Sequence, residues 1–124
     1  MARIFNLTFS ARDALSLGSF WSQAVGCDIS EARRDLVRLR GKDGAPDILV
    51  LHVADAFPPS SVHLDLAADD PVAEVARLVG LGASPVDTTS EGVPKPRTAN
   101  GIEWFVLTDP EGNEFCVGGD PRRK

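Results

Sequence analysis

The chain has 124 residues, 43% of them hydrophobic, which is enough for one domain with one core. No apolar run reaches the roughly 18 residues that cross a bilayer, and no signal-peptide segment opens the chain, so we expect a cytoplasmic protein without a membrane partner. The net charge of −5 disfavours nucleic acid as a partner, and two distant cysteines, Cys27 and Cys116, are expected to be free thiols.

The first half of the chain predicts one strand, one helix and three further strands. Residues 3–9 alternate between polar and apolar side chains, which is the strand period and places Asn6 and Thr8 on one face. Asp13 is a suitable N-cap for a helix with an apolar stripe, and Gly26 stands where a helix commonly ends. Strands are predicted next at 27–33, 36–40 and 48–53.

The same order of elements begins again after the stiff break at 57–61. Residues 62–67 predict a strand in which His63 and Asp65 share a face. Asp70 is an N-cap that is followed by proline, and the helix stripe is predicted as Val72, Val75, Ala76, Leu78 and Val79. A strand at 84–86 and a polar loop at 88–101 follow, and the loop is long enough to serve as a flap.

The stretch 104–117, WFVLTDPEGNEFCV, predicts a hairpin, because Asp-Pro-Glu-Gly at its centre is typical of a type I turn. Alternation sorts its side chains onto two faces. One face is predicted to carry Trp104, Val106, Thr108, Glu114 and Cys116. The other face carries Phe115 and Val117 and would pack a core. The hairpin is therefore expected to line a site on one face only.

The two halves of the chain are an internal duplication. His63 follows Asn6 by 57 positions, and the second cap, Asp70, follows Asp13 by the same 57. The sequence therefore predicts an α+β fold of two tandem βαβββ modules, at about 1–56 and 61–119, with a short tail at 120–124. Side by side, the modules would form a curved mixed sheet with a central cup and with the helices on its outer face.

These features together resemble the glyoxalase/bleomycin resistance/extradiol dioxygenase superfamily, also called vicinal oxygen chelate proteins. The motifs that carry the resemblance are the paired modules, FW near the end of the first helix, VHLDL, LGA after the second helix, and WFVLTDPEGNEFCV. Within the superfamily the chain is similar to the short glyoxalase-like domains of bacteria. The resemblance implies that the cup binds a small molecule and that open sheet edges pair in a homodimer.

Metal-dependent members of this superfamily place one ligand on each of four strands, facing the cup. The resemblance puts these positions on Asn6, Leu51, His63 and Cys116, with His52 as the alternative to Leu51. Of the four, His63 is the strong donor and Leu51 is no donor at all, so no metal and no other cofactor is expected. The residues expected to bind the ligand are Asn6, Thr8, Leu51, His63, Asp65, Trp104, Val106, Glu114 and Cys116.

The resemblance leaves three functions open. The first is binding of a small organic molecule without a metal, as in sequestration or resistance proteins, with Trp104 stacking on an aromatic or cationic ligand. The second is a lyase, isomerase or dioxygenase of the same superfamily, which would depend on a metal or use His63 as a general base. In the third, the cup is filled by a partner chain and the protein acts only as part of an assembly.

Overall fold

The computed structural model describes residues 1, 4, 6–52, 64–99 and 101–119. The chain divides into two compact units, Met1–Pro58 and Pro59–Lys124, and the division falls between two prolines. Each unit contains one helix and one mixed sheet, so the predicted α+β class and the repeated module are confirmed. In the described part of the chain, neither helix has the length and apolar content of a membrane span.

The first unit contains β1 (Asn6–Ala11), α1 (Ala14–Val25), β2 (Ile29–Ala32), β3 (Leu36–Leu39) and β4 (Asp47–His52). Its sheet has the order β1-β4-β3-β2, in which β1 and β4 are parallel and the other pairs are antiparallel. β2 begins at Ile29, whereas the strand was predicted to begin at Cys27. The reason is that the Cys27 N–H still belongs to the helix end, where it donates to the Ser22 carbonyl oxygen at 3.1 Å.

The helix α1 begins and ends as its sequence predicts. The Asp13 side chain accepts a hydrogen bond from the Ser16 N–H at 3.0 Å, and Gly26 closes the helix at φ 70°. Trp21 is fully buried and stacks on Phe9 of β1 with ring centroids 5.3 Å apart. The helix lies so close to β3 that a side chain on Gly18 would meet Val37, at 2.6 Å from an added Cβ.

The second unit contains β5 (Leu64–Ala67), α2 (Pro71–Leu81), β6 (Ser84–Pro85), β7 (Arg97–Ala99), β8 (Ile102–Thr108) and β9 (Glu114–Gly118). The sheet order is β5-β9-β8-β6, with β5 parallel to β9, and β7 also pairs with β8. β6 and β7 lie along the same edge of β8, where β6 pairs with the C-terminal end of β8 and β7 pairs with its N-terminal end. Together they take the place of one strand that is interrupted by residues 86–96.

The stripe predicted for α2 is only partly buried. Val75 and Leu78 are 2% and 0% exposed and pack into the core of the unit, whereas Val72 is 67% exposed and Val79 is 39% exposed. Ala76 is exposed as well. The reason is geometric, since among the described elements α2 packs mainly against β8 and β9 and buries one narrow line of side chains.

The segment at 88–101 is not the structureless loop that its polar composition predicts. The Thr89 N–H donates to the Val93 carbonyl at 2.8 Å, and the Lys95 N–H donates to the Asp87 carbonyl at 2.9 Å, which closes a small hairpin. The segment then enters β7, whose backbone pairs with β8. Backbone hydrogen bonds thus replace the apolar contacts that the sequence lacks here.

The turn between β8 and β9 is organised by Asp109, the one buried charged side chain in the described part of the chain. Its Oδ1 accepts the backbone N–H groups of Glu111 at 2.9 Å and Asn113 at 3.0 Å. The Asn113 side-chain amide also donates to both carboxylate oxygens, at 3.1 and 2.8 Å. The carboxylate therefore replaces water for several N–H groups of the turn.

We predict that Asp109→Ala lowers the free energy of unfolding by about 1–3 kcal/mol, because these donors lose their acceptor. Urea unfolding of the full chain measures the effect. The control is Glu91→Ala, which removes an exposed acid from the turn of the small hairpin and should unfold like the parent. Equal midpoints for Asp109→Ala and the control would contradict the role given to this carboxylate.

Candidate functional site

The face of the second sheet that carries Trp104 and Cys116 forms an open cleft of about 750 Å³. The strand register arranges its side chains in two rows, since residues paired across strands point to the same face. The first row consists of Ala67, Gly118, Trp104 and Arg97. The second row consists of Asp65, Cys116 and Val106, and Glu114 lies beyond it, opposite Thr108.

Five of the predicted ligand-binding residues lie together in this cleft. They are Asp65, Trp104, Val106, Glu114 and Cys116. Three others, Asn6, Thr8 and Leu51, belong to the first unit, and His63 lies outside the described residues. The binding role of all nine stays a prediction.

In the first unit, Asn6 and Thr8 lie on one face of the sheet, opposite Asp47 and Leu49 of β4. Leu51 lies on this face too, whereas His52 is paired with Ala11 and points to the other face. Leu51, and not His52, therefore shares a face of the first sheet with Asn6 and Thr8. Asn6 Oδ1 is the one buried side-chain oxygen or nitrogen atom without a hydrogen-bond partner among the described residues.

The cleft contains a cation, Arg97, that the sequence pattern did not place there. Arg97 of β7 binds Asp87, with Nε 2.6 Å from one carboxylate oxygen and a terminal nitrogen 3.4 Å from the other. The hydrogen bond and charge of Asp87 raise the pKa of Arg97, and Glu114 contributes in the same direction. The only sequence signal was a basic residue beside Pro96. The pairing of β7 with β8 is what brings Arg97 next to Trp104.

The Cys116 thiol is held in its protonated form. Burial raises its pKa first, and the charge of Asp65 and a hydrogen bond to that carboxylate raise it further. Glu114 adds to the effect, whereas Arg97 opposes it. The thiol therefore lies in a negative electrostatic field within the cleft, and it is not an activated nucleophile.

The sequence profile described as the glyoxalase-like domain matches residues 6–118, which cover both units. The chain belongs to the glyoxalase-like domain family. This confirms the resemblance to the vicinal oxygen chelate superfamily, as do solved structures with the same fold. No curated protein matches the chain in sequence.

Three solved structures illustrate the shared fold. A glyoxalase/bleomycin resistance protein/dioxygenase family enzyme from Burkholderia phytofirmans is 18% identical, with a TM-score of 0.76 over 95% of this chain and 98% of that chain. A glyoxalase-related enzyme from Fulvimarina pelagi is 13% identical, with a TM-score of 0.76 over 98% and 90%. A bleomycin resistance determinant encoded on the transposon Tn5 is 19% identical, with a TM-score of 0.63 over 97% and 99%. At these identities the likeness extends to the fold alone.

The residues described here do not fit the metal site of metal-dependent members of the superfamily. Leu51 has no donor atom, Asn6 offers only an amide, and the raised pKa of Cys116 disfavours the thiolate that a metal needs. Within the described ranges no three His, Cys, Asp or Glu side chains are grouped to hold an ion. His63, the strongest predicted donor, lies outside the described residues, so the expected absence of a metal stays a prediction.

We predict that Cys116 in a Cys27→Ser background reacts with iodoacetamide only at a higher pH than an ordinary thiol. Asp65→Asn should lower the midpoint of the rate–pH profile, because it removes the carboxylate that repels the thiolate and holds its proton. Glu91→Gln, in the exposed turn of the small hairpin, is the control and should leave the profile unchanged. If the Asp65→Asn and parent profiles superimpose, Asp65 does not act on the thiol.

Proposed function

We propose that this glyoxalase-like protein binds a small organic molecule in the cleft of its second unit and sequesters it without a metal. The supporting observation is the position of Trp104, which lies half-buried in the cleft between Gly118 on one strand and Arg97 on the other. A volume of about 750 Å³ is in the range of small-molecule pockets. An aromatic wall with few polar groups is the usual composition of such sites.

The charges in the cleft favour a ligand that is cationic or rich in hydrogen-bond donors. Asp65 and Glu114 lie on the cleft face, and the charge of Arg97 is already engaged by Asp87. Burial raises the pKa of Cys116 first, and Asp65 and Glu114 raise it further because both destabilise a second negative charge there. A cation over the indole of Trp104 would gain a cation–π contact in addition.

A second candidate is catalysis by a lyase, isomerase or dioxygenase of the superfamily. It is favoured by the structural neighbours from Burkholderia phytofirmans and Fulvimarina pelagi, which are described as enzymes. Such an activity would need His63 as a base or a metal held by residues outside the described ranges. We rank it second because the described donor positions at Leu51 and Asn6 are poor ligands.

We further propose that the protein is a cytoplasmic homodimer. β2 is an edge strand of the first sheet, and all four of its residues are exposed. An open strand edge presents unpaired backbone groups that a second copy can satisfy. Light scattering at micromolar concentration should therefore give about twice the chain mass of 13.2 kDa. A particle of the single-chain mass would contradict the dimer.

We predict that a ligand found by screening small organic cations, anions and neutral compounds changes the fluorescence of Trp104 but not that of Trp21, which is fully buried. Trp104→Ala should weaken binding about 3- to 30-fold, the loss expected for one stacking or cation–π contact. Calorimetry measures the affinity. Val79→Ala, on the exposed face of α2, is the control. A ligand with parental affinity for Trp104→Ala does not bind as we propose.

We also predict that protein purified without chelators or a histidine tag contains far less than one Zn, Fe, Mn or Ni per chain. The reason is the poor donor set at Leu51 and Asn6 and the protonated thiol at Cys116. Elemental analysis measures the content. A value near one metal per chain would favour the catalytic candidate over metal-free sequestration.

A further inference from the structure

We propose that the ligand of this cleft carries a planar ring, and that Gly118 and Ala67 are the residues that determine this specificity. The inference rests on the proposed function and deepens it by naming the shape of the ligand. It starts from the first row of the cleft, where two neighbouring strands present no large side chain beside the indole of Trp104.

The register makes Gly118 the direct neighbour of Trp104 across β8 and β9, and Ala67 the direct neighbour of Gly118 across β9 and β5. A Cβ on Gly118 would lie 3.6 Å from the Cβ of Trp104, so the space above this glycine adjoins the Trp104 side chain. The Ala68 N–H donates to the Gly118 carbonyl at 2.9 Å, which keeps the backbone of the two strands together here. Gly118 and Ala67 thus form the floor of a shallow groove beside Trp104, and we call this groove the slot.

The side chains that border the slot are larger than those of the two residues that form its floor. Trp104 and Arg97 continue the first row on one side, and Cys116 and Asp65 form the next row. Strands lie about 4.8 Å apart, so the slot extends about 10 Å from Trp104 across β9 and β5. This length accommodates a single ring or two fused rings. A flat ring in the slot contacts both the backbone floor and the indole, whereas a bulky saturated group must give up one of these contacts.

The position of the slot also fixes where a positive charge on the ring would lie. Asp65 precedes Ala67 by two residues on β5 and faces the same way, so its carboxylate borders the slot. Glu114 lies on the same face of the neighbouring strand. Arg97, on the far side of Trp104, is bound to Asp87 at 2.6 Å. A planar cation is therefore the ligand class that matches both the shape and the charge of the slot.

The test compares two cations of similar size on the full chain, N-methylquinolinium, which is planar, and trimethylcyclohexylammonium, which is not. Calorimetry should give at least about tenfold tighter binding of the planar cation. Ala67→Leu fills the slot from an exposed position on the edge strand β5, and it should weaken binding of N-methylquinolinium at least about tenfold. Gly118→Ala should also weaken binding of N-methylquinolinium.

Two matched variants control for unrelated effects. Ala76→Leu adds the same side chain to an exposed position on α2, and Gly80→Ala adds a methyl group on the same helix with no heavy atom within 4 Å. Both should bind N-methylquinolinium like the parent. Gly118→Ala brings its Cβ to 3.3 Å from the Glu103 carbonyl oxygen, so a loss of stability there is expected to be larger than for Ala67→Leu. If Gly118→Ala does not fold, the inference is judged on the affinity of Ala67→Leu alone.

Parental affinity of Ala67→Leu for the planar cation overturns the inference, and so does equal affinity of the parent for both cations. In either case the proposed function stands, because a ligand still binds. If neither cation binds but other screened compounds do, the planar-cation specificity is wrong and the binding function remains. If no cationic, anionic or neutral compound binds, the proposed function itself is wrong.

Discussion

The hydrogen bonds of the Asp109 carboxylate are the interaction on which the second unit depends most. They hold the turn between β8 and β9, and this turn sets the register in which Trp104 meets Gly118 and Val106 meets Cys116. A slip of one residue would move every side chain of a strand to the opposite face. By holding this turn, the Asp109 carboxylate helps to determine which side chains line the cleft and which ones enter the core.

The two faces of the second sheet have separate tasks. Phe115 and Val117 are fully buried in the core of the unit, together with Val75 and Leu78 of α2. The fully buried side chains of β9 lie on the face away from the cleft, so the exposed side chains of the cleft face can change with little effect on that core. This separation is consistent with a chain that shares the fold of structures to which it is less than one-fifth identical.

Charge and shape act together in the cleft. Asp87 holds Arg97 in place through the small hairpin, so the positive charge nearest to Trp104 is already compensated. On the other side, burial and the charges of Asp65 and Glu114 raise the pKa of Cys116, which favours an uncharged thiol between the acids and the indole. Such an arrangement is suited to reversible binding of a flat cation more than to nucleophilic chemistry.

The sequence by itself determined the repeated α+β module, because capping at Asp13 and Asp70 and the period-two alternation at 104–117 are local properties of the chain. The same alternation placed Trp104 and Cys116 on one face. Only the tertiary structure decided that Arg97 borders the cleft, that Gly118 and Ala67 form its floor, and that Val72 and Val79 stay exposed. These features depend on which strands become neighbours and how far a helix reaches across its sheet. Such contacts join residues far apart in sequence, and a local pattern does not encode them.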